Sequence, residues 1–367
     1  MESFSASGRD IITALVKDKV CPERMGFQEA FWQDTRREWE KQGLSRKESL
    51  HHLFGLDILE IPGNMFDTSP FPGTRRIVDE DKKTVTYRNG WGAALREWKA
   101  DRPGVPEHIG FDLTSPRIWK DKYREPLMGL DLNRFENTDL LKRSYREGME
   151  SDRFCVYHNI HVYEIMRTAL GDIVMLEALC TDPAWIHDFC QVVTENIVRH
   201  LIWALDHVGR PDGIWIYEDL GFSRAPFVSP ALYREMILPY HKRTIDVAHD
   251  YGLPVIFHSC GRIRPLLPLL LDAGIDCLQA IEVKAGQDVI EMADAVQNRI
   301  AFMGNMDIRI FETNDPSAVD AAFIPKLKDI RKKRIPYIFH SDHSIPRSVR
   351  LDTYRHVRQM FLKNCMY

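Results

Sequence analysis

The chain has 367 residues, 44% hydrophobic and 28% charged, proportions that allow a large buried core and exclude disorder, collagen and coiled coil as the main architecture. With 49 basic against 53 acidic residues the formal charge is -4, so no overall positive field is available to hold a nucleic-acid backbone. No run approaches about 18 uninterrupted apolar residues and the N-terminus lacks a signal-peptide pattern, so a cytoplasmic protein with no membrane contact is expected.

In chain order, an N-terminal helical segment leads to a weak strand signal at Val20–Phe27, and a second strand is expected at Gly55–Ile61. From about Met65 to Glu150 the chain is rich in Pro, Gly, Trp and charge and reads as an inserted cap. Within it, Arg76–Arg88 carries two β-type runs around the polar turn Asp79–Lys83 and predicts a hairpin. Arg153–Tyr157 predicts a third strand, and Ile160–Val208 two or more helices. Short, nearly continuous apolar runs then recur at Gly213–Glu218, Pro254–His258, Cys277–Glu282, Ile300–Gly304 and Pro336–His340, as in parallel strands covered on both faces. Between the first two, Ser229–Tyr251 has a Ser-Pro start, helical spacing and a stop at Gly252. Eight strands alternating with helices predict a (β/α)8 TIM-type barrel, one domain over 1–367 with an inserted hairpin and cap.

Barrels of this kind work at the carboxyl ends of their strands, and reactive side chains collect there. The late strands end in Glu218-Asp219, His258-Ser259-Cys260-Gly261, Glu282, Asn305 with Asp307, and His340-Ser341-Asp342-His343. His258 and Cys260, two apart in an extended segment, project to one side and can offer a nitrogen and a sulfur to one ion. Zn2+ suits such a pair, with His343 or Asp342 as the third ligand; the alternative is a hydrogen-bonded histidine beside a buried thiol. One of Glu218 and Asp219 facing inward could accept a proton, complete a metal shell or bind a cation, while the other caps a helix or pairs with Arg224. Glu282 is either an acidic group in the mouth or half of an ion pair with Lys284. His158 and His161 could face the cavity or serve structure. Seven widely spaced cysteines do not suggest a disulfide framework. No GxGxxG, P-loop or GxSxG motif is present.

These strand ends resemble the superfamily of uroporphyrinogen decarboxylase and the related cobalamin-dependent methyltransferases. The matching stretches are YEDLG at Tyr217–Gly221 with SPALYREMILPYHKR, then YGLPVIFHSCG, IEVKAGQDV, FMGNMD and SDHSIP, spanning Gly213–Pro346. The arginine-bearing Arg-Gln-Ala-Gly segment of the decarboxylase branch has no counterpart; Cys21–Phe27 stands in its place, which disfavours a polycarboxylate substrate. The methyltransferase branch has His-x-Cys as zinc ligands, matched by His258 and Cys260, and usually a third cysteine near the last strand. Here that place reads Ser341-Asp342-His343-Ser344, a departure that argues against a plain thiol methylase of the coenzyme M type.

The resemblance implies a zinc-assisted methyltransferase demethylating a small donor, a methoxylated aromatic or a methylated amine; the strand ends supply Glu218, Asp219, Glu282, Asn305 and Asp342 as catalytic candidates. The chain has no Asp-x-His-x-x-Gly cobalamin signature, so the corrinoid would be carried by a separate protein. The inserted cap, with Phe66, Phe71, Trp91 and Trp98, would frame that docking site or a homodimer contact. The competing reading is a lyase acting on a carboxylated substrate without metal.

Overall fold

The computed structural model describes residues 5–61, 65–99 and 106–367; the first four residues of the N-terminal segment and residues 100–105 of the inserted cap lie outside them. Eight parallel strands form a barrel: β1 (Gly26–Phe27), β2 (Ile58–Ile61), β3 (Phe154–Ile160), β4 (Gly213–Tyr217), β5 (Val255–Ser259), β6 (Cys277–Ala280), β7 (Ala301–Gly304) and β8 (Tyr337–Phe339). Their ladder runs β1-β8-β7-β6-β5-β4-β3-β2. At the seam, Asp57 N–H donates to the Phe27 carbonyl at 2.8 Å, and the Asp57 carboxylate accepts Phe27 N–H at 2.8 Å. The same carboxylate holds Arg24 in a buried two-point ion pair at 2.7 and 2.8 Å. All eight expected strands are present, and the fold is the TIM-type barrel.

Side-chain alternation fills the barrel. The first inward layers are apolar: Ile58, Phe154, Val156, Trp215, Ile256, Cys277, Ala301, Met303 and Ile338 pack together. Ile11, Ile12, Leu15 and Val16 of the N-terminal segment join that cluster next to the first residues of the strands, so the amino end is plugged. Carrying the same parity toward the carboxyl end brings Glu60, His158, Tyr217, His258, Gln279 and His340 inward. The rings of His158, Tyr217 and His258 follow one another at 5.2 and 5.0 Å between centroids; Tyr217 and His258 are direct register partners, while His158 pairs with Trp215 and meets Tyr217 one inward position further along β4.

The structure corrects three expectations. The hairpin is half of a four-stranded antiparallel sheet, Arg75–Glu80, Thr84–Asn89, Ala94–Trp98 and Glu107–Gly110; the last two runs are too charged to read as strands on their own. Ser229–Tyr251 is two helices, Pro230–Met236 and Leu238–Asp250, because Pro239 in the second one's first turn supplies no N–H to continue the first. Phe66 and Trp91 are buried, so of the four rim aromatics only Phe71 and Trp98 are available to a partner. The sheet sits against the helix Val162–Thr181, where Phe111 fills the space a side chain would take at Gly171: a Cβ there would stand 2.4 Å from the Phe111 ring, and φ is +74°.

Candidate functional site

The loops after β4 and β5 are pressed backbone to backbone, and this contact builds the site. A Cβ on Gly261 (φ +74°) would lie 2.2 Å from the Gly221 backbone, so the approach requires glycine. Leu220 N–H donates to Ser259 Oγ at 3.0 Å, Arg262 N–H to the Phe222 carbonyl at 2.8 Å, and Cys260 N–H to Asp219 Oδ1 at 3.0 Å. These bonds bring Asp219 beside the His-x-Cys pair. His258 Nε2 stands 3.5 Å from Cys260 Sγ and 3.5 Å from Asp219 Oδ1, and donor atoms of all three residues lie within 4.8 Å of one another.

The two sides of this triangle that meet at His258 have the dimensions of a metal shell. Bonds of about 2.05 Å to nitrogen or oxygen and about 2.3 Å to sulfur at tetrahedral angles separate ligand atoms by about 3.3 to 3.6 Å. The Nδ1 of His258 contacts Gln279 Oε1, leaving Nε2 directed at the other two. Burial, then the carboxylates of Asp219 and Glu282, hold the Cys260 thiol well above its ordinary pKa. A cation in the triangle would reverse that by favouring the thiolate. Burial would raise Asp219, but hydrogen bonds from His258 and the Cys260 N–H outweigh it and lower its pKa.

The other expected site residues fall differently. Glu218 does not reach the mouth. It is fully buried, its two carboxylate oxygens accept the N–H groups of Tyr163 and Glu164 at 2.9 and 2.7 Å, and His241 Nε2 bonds Oε1 at 2.8 Å. It therefore caps the helix after β3, across the barrel wall, while its neighbour Asp219 faces the cavity, because consecutive residues point to opposite sides of an extended segment. Burial would raise the Glu218 pKa; His161 and His241 beside it bring it to about 2.

Asn305 is wholly enclosed: Nδ2 donates to the carbonyls of Ile281 and Gln287, and Oδ1 accepts from Val289 N–H and Lys326. With no hydrogen-bonding capacity left over, it braces the loop after β6. Asp307 caps the helix Ile308–Glu312 and pairs with Arg309.

Asp342 is buried, with one oxygen on Ile308 N–H and the other on Val283 N–H, both at 2.8 Å. His343 packs beside Trp32 and, among the described residues, is not part of the Asp219-His258-Cys260 triangle. The third donor beside His258 and Cys260 is thus Asp219. Glu282 satisfies both of its readings: it is buried beside the Cys260 thiol, and Lys284 approaches it at 3.5 Å. His158 faces the barrel interior against Glu60, and His161 lies behind the mouth near Glu218.

Two groups had no sequence signal. His241, on a helix outside the barrel, is fully buried and bridges Glu218 to the Tyr233 hydroxyl. Glu29, just after β1, is fully buried; it accepts the Ser341 hydroxyl at 2.7 Å and the Ser341 N–H at 3.1 Å, and burial lifts its pKa to about 8. A carboxyl group raised in the fold binds its proton more tightly there than in the unfolded chain. Its contribution to stability is therefore present at low pH and lost as pH rises from about 4.5 to about 8. Glu29→Gln keeps the shape and removes the titration. Relative to wild type it is expected to gain on the order of 3 kcal/mol between pH 5 and 8, read by urea unfolding at both pH values. Equal pH slopes for the two proteins would show that Glu29 is charged in the fold.

The family model for uroporphyrinogen decarboxylase (URO-D) matches residues 172–361, more than half of the chain. The chain belongs to the URO-D family. The methylated-thiol--coenzyme M methyltransferase of Methanosarcina mazei is 28% identical over 219 residues, 57% of this chain and 53% of its own, so the chain spans about half the length of that curated relative. A solved methyltransferase from Methanosarcina mazei superposes over 98% of this chain and 99% of its own, with a TM-score of 0.67 and 13% identity, a likeness of fold. The triangle lies in the matched region, as does each late strand end of this URO-D barrel. No helix among the described residues is long and apolar enough to cross a membrane, and all seven cysteines are free thiols.

Proposed function

We propose that this chain is the methyltransferase component of a corrinoid-dependent system, moving a methyl group between a small methylated donor and a corrinoid held by a separate protein. The observation that carries this reading is the Asp219-His258-Cys260 triangle at the carboxyl end of the barrel, a donor set of oxygen, nitrogen and sulfur suited to Zn2+. A zinc ion bound there would supply Lewis acidity toward the heteroatom that carries the methyl group. The chain's own residues do the rest. Gln279 orients His258, the Asp219 carboxylate fixes the Cys260 backbone, and the buried Glu282 stands beside the sulfur with Asp219, either carboxylate placed to take its proton. The plugged amino end and the inserted sheet leave the carboxyl end as the approach for donor and corrinoid protein, with Phe71 and Trp98 on the exposed part of the cap. Free thiols throughout suit a reducing, cytoplasmic setting.

The lyase reading calls for cationic groups to hold a carboxylate. Among the described residues, the inward ones at the mouth are Glu60, His158, Tyr217, His258, Gln279 and His340, with Asp219 and Glu282 above them; Lys284, which approaches Glu282 at 3.5 Å, is half-exposed and paired with that carboxylate. Arg24, in the segment where the decarboxylase branch would place its arginines, is engaged with Asp57.

Methyl transfer to a reduced corrinoid protein, compared with free reduced cobalamin, tests the assignment with methoxylated aromatics and methylated amines as donors. A methylated thiol is included because the Methanosarcina mazei relative is named for one. Turnover with one of the first two classes, dependent on the corrinoid protein, is expected. Loss of carboxyl groups from a carboxylated substrate in the absence of cobalt would restore the lyase.

A further inference from the structure

We propose that Arg262 is a specificity residue for the methyl donor: its guanidinium holds a carboxylate at the rim of the barrel mouth while the donor's methoxy group reaches the metal triangle. The donor class is then a methoxylated aromatic acid. The inference rests on the methyltransferase reading above.

Arg262 follows Cys260 by two residues, in the loop after β5, and its backbone is held from both sides. Toward β4, its N–H donates to the Phe222 carbonyl at 2.8 Å. Toward β6, the buried Gln287 accepts the N–H groups of Ile263 and Arg264 at 2.9 and 3.0 Å and donates to the Gly261 carbonyl at 2.8 Å. The side chain is half-buried and lies across the loop after β6, where Nη1 stands 3.0 Å from the point that a Cβ would occupy on Gly286. The turn in that loop, Val283–Ala285, starts from Glu282, the buried carboxyl group beside the Cys260 sulfur. A fixed backbone thus sets the guanidinium on the rim next to the triangle.

Its charge is unused. Among the described residues Arg262 has no ion pair, and its guanidinium makes no hydrogen bond. The other cations of these two loops are engaged, Arg264 by Glu291 and Lys284 by Glu282. A half-buried guanidinium presents a planar fork of donors that a carboxylate matches with two parallel bonds. Phe222, on the loop bonded to Arg262, is 62% exposed and supplies an apolar ring for an aromatic donor to pack on. A benzoate is rigid, with its carboxylate and a para-methoxy group at opposite ends of the ring, so holding the first at the rim directs the second inward. A methylated amine, cationic at neutral pH, is repelled by the same group. Held at the rim, the carboxylate is a handle and not the reacting group, which separates this role from that of a lyase.

The test uses the full chain with zinc, as wild type, Arg262→Gln and Arg262→Lys. Binding of para-methoxybenzoate and of its neutral relative para-methoxybenzamide is measured by titration calorimetry without corrinoid protein. Wild type is expected to bind the acid about 10- to 100-fold more tightly than the amide, and Arg262→Gln to bind the two about equally. Arg262→Lys is expected to keep part of the preference, because an ammonium pairs with a carboxylate without the second parallel bond.

Equal binding of acid and amide by the wild type would overturn the inference without any variant. A preference that survives Arg262→Gln would overturn it too, since the carboxylate would then be held elsewhere, the metal included. So would a loss of affinity for the corrinoid protein with binding of the acid unchanged, which would make Arg262 a contact for that partner. The underlying reading fails at a different step: the acid would bind through Arg262 but pass no methyl group to reduced corrinoid protein, and carboxyl loss in the absence of cobalt would return the lyase.

Discussion

Cys260→Ala is expected to lose essentially all tightly bound zinc and, with it, methyl transfer, while unfolding at nearly the same denaturant concentration as the wild type. Three donors converge on the site, so removing the softest leaves two and no spare. The residue is only partly buried and lies in a loop, where loss of one sulfur atom leaves a small void.

Asp219→Asn should weaken zinc by about 10-fold or more, since an amide is a poorer ligand than a carboxylate and presents its NH2 group to the Cys260 backbone in one of its two orientations. His343→Ala should leave zinc content unchanged, because that ring lies beside Trp32, outside the triangle. Metal analysis of the purified variants reads all three. Zinc lost from His343→Ala and kept by Asp219→Asn would return the third position to His343.

Glu218→Gln should do the opposite, unfolding the protein more easily by about 3 to 5 kcal/mol. The two carboxylate oxygens each accept a backbone N–H at the start of the helix Val162–Thr181. A glutamine supplies one acceptor, and its NH2 group must then face either Tyr163 N–H or Glu164 N–H, donor against donor, in a site with no access to water. His241 loses its anionic partner as well. The change should appear in urea unfolding of the zinc-free protein, where metal content cannot contribute. A loss below about 1 kcal/mol would mean that the helix start is held by other contacts and that Glu218 is free for a role at the mouth.

Neighbouring acidic residues with opposite assignments show where the sequence runs out. That one member of the Glu218-Asp219 pair would cap and the other face the cavity follows from strand alternation. Which of them does so depends on where β4 stops and its loop turns, and the helix being capped precedes the pair in the chain. Asp219 becomes the third donor only because two glycines let the loops after β4 and β5 touch. Asp342 and Asn305 have the chemistry of site residues, yet both are consumed by backbone groups whose positions are set by the loops after β6 and β7.

The sequence by itself determined the barrel, the gathering of reactive side chains at the carboxyl ends of its strands and the His258-Cys260 pair. Each is a local property, set by apolar runs of strand length, helical spacing between them, and a separation of two residues in an extended segment. Only the tertiary structure decided the third donor, the orienting Gln279, the buried His241 and Glu29, and the loss of Phe66 and Trp91 from the rim. These depend on contacts between strands and loops distant in the chain, where register, a close approach at glycine and the satisfaction of buried polar groups determine which side chains meet.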